Sequence, residues 1–109
     1  YFPVDEGGYK RIYTQEKKGF AQAKLTKDGQ DIAILSISDT LNNPSAKDKF
    51  KESTEQIGGY PAVNQGSNST VLLVGDRFQV KVRSKDSSFD DGDRRDWLSK
   101  FDLRGLSKL

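Results

Sequence analysis

Apolar and polar residues alternate with a period of two over much of this chain, which is the signature of strands with one covered and one solvated face. The clearest case is 78–84, where Phe78, Val80 and Val82 interleave with Gln79, Lys81 and Arg83. In 20–26, Ala21, Ala23 and Leu25 share one face, with Gln22 and Lys24 on the other. Residues 9–15 are rich in strand formers (Tyr9, Ile12, Tyr13, Thr14). Residues 31–39 are apolar at both parities, with Ile32 and Ile34 opposite Ala33, Leu35 and Ile37, as in a central strand. A weaker strand over 60–65 carries Pro61, which lacks a ladder donor and points to a sheet edge. A short apolar strand follows at 70–74. Glu16-Lys17-Lys18-Gly19, Asp28-Gly29, Gly66 to Ser69 and Gly75-Asp76-Arg77 supply the turns.

Two segments change period. Ala46, Phe50, Ser53 and Ile57 recur at helical spacing behind Asn43-Pro44-Ser45, where Asn43 or Ser45 could cap, and Gly58-Gly59 supplies a stop. Lys51 and Glu55 stand four apart, the spacing of a helical ion pair. A second helix is predicted from Asp90 or Asp91, with Trp97, Leu98 and Phe101 as its buried stripe. Gly105 should break it, leaving Leu103, Leu106 and Leu109 to dock the tail. The expected order is βββα-βββα. It implies a two-layer α+β domain with an antiparallel sheet of about six strands and both helices on one face. Residues 1–8, with Pro3 and Gly7-Gly8, read as an extended lead-in, and 9–109 as one domain.

Composition sets the scale. At 109 residues there is room for one domain and hardly two. Leu, Ile, Val and Phe make up about a quarter of the chain, above the roughly 20% below which disorder is expected. A mean hydropathy of −0.77 implies a thin core and a heavily charged surface. No run of apolar residues is long enough to span a bilayer as a helix. The chain starts at Tyr1 and contains no Met, which suggests a processed piece that has lost an export signal and hence a periplasmic or extracellular location.

The chemistry is limited by what is missing. Without His or Cys, no imidazole base, thiol nucleophile or thiolate metal site can be built from this chain. Carboxylates, Lys and Tyr remain, so an enzyme is not expected, nor a cofactor. Asp86, Asp90, Asp91 and Asp93 cluster around Gly92. Counted as a calcium loop from Asp86, the cluster puts Asp91 at the glycine position and Trp97 at that of the bidentate Glu, so helix capping is the better account and no metal site is expected. Asn68-Ser69-Thr70 is a formal glycosylation triplet that reads as a turn.

Two basic features suggest binding. Arg77, Gln79, Lys81, Arg83 and Lys85 are in phase along one strand and its ends. Such a ribbon, spanning roughly 26 Å, could meet a protein partner or an anionic envelope surface. Tyr9, Lys10, Arg11 and Tyr13 mix aromatics with cations, as single-stranded nucleic-acid binders do. The expectation is therefore a non-catalytic binding module of a bacterial envelope acting through the basic stripe, with single-stranded nucleic-acid binding as the alternative.

Overall fold

The computed structural model describes residues 2, 8–17, 19–41, 44–51 and 53–108. The chain runs β1 (Lys10–Lys17), β2 (Phe20–Lys27), β3 (Gln30–Asp39), a 3₁₀ helix (Pro44–Phe50), β4 (Glu55–Ile57), β5 (Tyr60–Asn64), β6 (Ser69–Val74), β7 (Phe78–Ser84), α1 (Asp91–Ser99) and α2 (Leu103–Ser107). The strands form one antiparallel sheet in the order β1-β2-β3-β7-β6-β5-β4. It is thus two meanders, β1–β3 and β4–β7, joined where β3 pairs with β7.

Hairpin chemistry explains the meanders. Asp28 and Gly29, both at positive φ (53° and 78°), turn β2 into β3, the conformation that an Asp-Gly pair tolerates best. Alternation then sorts the side chains. Leu35, Ile37, Leu72, Val74, Val80 and Val82 point to one face, where Trp97 and Leu98 of α1, Phe101, and Leu103 and Leu106 of α2 cover them. Ile32 joins this core because it is the extra residue of a bulge: Leu25 pairs with Ala33 but Thr26 with Asp31. On the other face Phe50 of the 3₁₀ helix covers Val71 and Leu73, with Val63 beside them. The rest of that face, over β2, β3 and β7, carries no described helix.

Five expectations need correction. The segment read as a helix to Ile57 is a short 3₁₀ helix followed by a strand, so the sheet has seven strands, not six. Phe50 is the buried anchor of the helical part. Ser53 then pins the chain beside β5: its Oγ donates to the Ala62 carbonyl at 2.7 Å and accepts from the Ala62 N–H at 3.2 Å. Lys51 pairs with Asp48 (3.3 Å) rather than Glu55, which pairs with Arg95 of α1. Because β4 takes the edge, β5 lies one strand in, and Pro61 faces Gln56 of β4. Helical structure covers both faces of the sheet, unequally. Finally, the last helix breaks at Lys100–Asp102, before Gly105, and Asp102 caps α2 by accepting from the Gly105 N–H at 3.0 Å.

Most of the expected lead-in, and Asn43 and Leu109, lie outside the described residues. Phe2 packs on the helical face, with its ring 5.5 Å from that of Tyr13 and 5.4 Å from that of Phe101. Among the described residues no helix is long and apolar enough to cross a membrane.

Candidate functional site

The uncovered face of β2, β3 and β7 is a shallow trough of about 410 Å³. Its floor follows from register. Lys81 lies between Ser36 of β3 and Val71 of β6, and Arg83 lies between Ile34 and Ser69. Gln22 and Ser38 extend the polar lining, and Lys85 closes one end. Three of the four predicted stripe cations, Lys81, Arg83 and Lys85, therefore do share one surface. Among the described residues none of the three side chains has an ion-pair or hydrogen-bond partner.

Two further lysines lie on this face. Lys49, on the 3₁₀ helix, donates to Gln79 Oε1 at 2.7 Å. Partial burial, and then the charge of Lys81, push its pKa below the ordinary lysine value. Lys24 of β2 pairs with the exposed Asp31 at 3.3 Å.

The fourth stripe residue, Arg77, is placed differently. It leaves the turn before β7 toward the helical face and grips Asp39 with both prongs, Nε to Oδ1 at 3.0 Å and Nη2 to Oδ2 at 2.7 Å. That hydrogen-bonded charge holds the Asp39 carboxyl below its usual range and raises the Arg77 guanidinium. The guanidinium also lies 4.9 Å from the Phe78 ring centroid. Arg77 is neutralised and belongs to the rim of a second, more apolar hollow of about 520 Å³ between Phe2, Tyr13, Ile37 and Leu106.

The alternative patch is not one surface. Lys10 pairs with Thr26 on the open face, whereas Arg11 and Tyr13 pair with Leu25 and Ala23 on the helical face. Tyr9 packs edge-on against Phe89 (5.9 Å) and Trp97 (5.6 Å). Arg11 covers the Tyr13 ring at 4.9 Å and donates to the Phe2 carbonyl at 3.3 Å. Tyr9 seals the core, whereas Tyr13 stays exposed beneath the Arg11 guanidinium, so the two do not form a row of stacking platforms.

The acidic cluster is taken up by α1. Asp90 and Asp93 form a reciprocal capping box. Burial pushes the Asp91 carboxyl up, but Arg95, Arg94 and Thr70 together hold it below its ordinary value. Among the described residues no group of three acidic side chains is placed to hold a metal ion.

The sequence did not single out Arg94, which is 5% exposed. Its Nε donates to Thr70 Oγ1 at 3.0 Å and its Nη1 to Ser84 Oγ at 2.9 Å, with Asp91 3.6 Å away. Its two hydroxyl partners are 10 and 24 residues away, and the nearby Asp91 alone does not mark it as buried. Ser36 and Ser38 were not singled out either, although they stand out of phase with Leu35 and Ile37. Nor was Lys49, because only the crossover brings it to the trough.

No family model, curated protein or solved structure matches this chain.

Proposed function

We propose that this chain is a non-catalytic binding module whose open sheet face grips a polyanionic surface, and that it works in the envelope of a bacterium. The observation that carries this reading is Lys81 and Arg83, side by side in an open trough among hydroxyl and amide groups, with no described anion to neutralise them. The crowding of Lys49 against Lys81 points the same way, because like charges held together are relieved by an incoming anion. Serines and glutamines beside the cations add donors for phosphate, sulfate or carboxylate oxygens. A non-catalytic role is supported by the two displaced carboxylates, Asp39 and Asp91, which are shifted away from neutrality and tied to arginines.

The test is binding of the purified chain to vesicles rich in anionic lipid and to a soluble sulfated polysaccharide. The charge-reversed variant Lys81→Glu/Arg83→Glu should lose binding to both, and Arg77→Gln should keep it. Equal binding by the wild type and the double variant would remove the trough from consideration. Fractionation of cells expressing the full gene product tests the location.

A further inference from the structure

β1 is the outermost strand at one edge of the sheet, with no described strand beyond it. Such an edge presents free N–H and C=O groups to any strand that can match it. The two edges are not equivalent. β4 has three residues and is tied to α1 through Glu55 and Arg95, whereas β1 has eight and leaves Ile12 and Tyr13 exposed at 44% and 51%.

We infer that β1 pairs antiparallel with β1 of a second copy of this chain, about a dyad perpendicular to the sheet that passes between Tyr13 and Thr14. Rotation about such an axis keeps each face of the sheet on its own side, so paired residues must share a face. In an unbroken strand, residues five apart lie on opposite faces. The register shift between Tyr13 and Gln15 resets the alternation. Arg11 and Glu16 both end up on the helical face, paired with Leu25 and Ala21, while Ile12 and Gln15 both lie on the open face, paired with Lys24 and Gln22.

Self-pairing in this register sets Arg11 against Glu16 of the second copy, twice, and Ile12 against Gln15, twice; Tyr13 and Thr14, which lie on opposite faces, meet at the dyad, where the two bulges interrupt the ladder. A one-residue slip would set Arg11 against Gln15, which is on the wrong face. The register also sets position 10 across from position 17, at the two ends of the paired segment. A bulge and edge lysines discourage a foreign strand. Here the same bulge fits a copy of itself, and the interface closes rather than propagating.

Sedimentation velocity of the full chain over a wide concentration range tests this pairing, with circular dichroism as the check on folding. The wild type should form a reversible dimer. Arg11→Glu and Glu16→Arg should each weaken association about ten-fold or more, because two attractive pairs become repulsive. The double variant Arg11→Glu/Glu16→Arg should restore it. Glu16→Arg reads the pair without touching the Arg11 contacts to Phe2 and Tyr13. A wild type that stays monomeric, single variants that associate normally, or a double variant no better than the singles would each overturn the pairing. No anion is needed for this readout, so it stands or falls separately from the trough.

Discussion

Arg94 joins the helical layer to the sheet through hydroxyls on two neighbouring strands, β6 and β7. Replacing it with Met keeps the apolar stem but removes a donor from two buried hydroxyls that keep only their other partners: Thr70 has Asn64 at 2.9 Å and Asp91 at 3.4 Å, and Ser84 donates to the Phe89 carbonyl. The expected cost is about 2 kcal/mol, read as a lower urea midpoint with an unchanged slope. Acid should reveal the carboxylates. Asp39 and Asp91 have depressed folded pKa values, so the folded state holds fewer protons than the unfolded chain in that range. Their contribution is complete above the unfolded value near 3.8 and is lost as pH falls through the lower folded values. Thermal melting should therefore show a flat plateau near neutrality and an acid limb that is shallower in Asp39→Asn.

At the scale of the element, turns and alternation were readable and the crossover was not. Asp28-Gly29 and the run from Phe78 to Ser84 state their conformation locally, so β2, β3 and β7 followed from the residues alone. The segment from Ala46 to Ile57 carries a helical spacing, but Phe50 is its buried anchor, and the serine expected on the helical stripe, Ser53, instead bonds to Ala62. A partner nine residues away decided that segment. The same distinction applies to the trough. In-phase cations on β7 were legible, whereas the loss of Arg77 to Asp39, 38 residues away, was not. The division of Tyr9, Lys10, Arg11 and Tyr13 was legible in principle, since adjacent strand residues face opposite ways. Gly75 supplies a test at this level. Its φ is +63°, and an added Cβ would lie 3.2 Å from Ser107 Cα. Gly75→Ala should destabilise by about 1–3 kcal/mol. Its first symptom should be loosening of α2, visible as faster amide exchange in 103–107.

The molecule as a whole is nearly charge-balanced, with 18 basic and 16 acidic side chains. Net charge therefore says little about a partner, and local arrangement decides. Among the described residues, Lys81, Arg83 and Lys85 gather on the open face without ion-pair partners, with Lys49 held beside them by Gln79, while Asp91 of α1 and Asp39 are held by arginines. Moderate salt should thus stabilise the free protein slightly and weaken polyanion binding, and Lys81→Glu/Arg83→Glu should flatten both dependences. In the paired form the dyad would set two troughs on the same side of one continuous sheet, so a long polyanion should bind more tightly than a short one of equal charge density.

The lone tryptophan of the chain lies on α1, buried, with its ring 5.6 Å from that of Tyr9 just ahead of β1. That spacing makes the protein its own optical gauge. Excitation passed from the tyrosine to the indole, together with the indole's emission colour, reports whether the helical layer is seated on the sheet. Departure of that layer can then be timed by fluorescence without attaching a label.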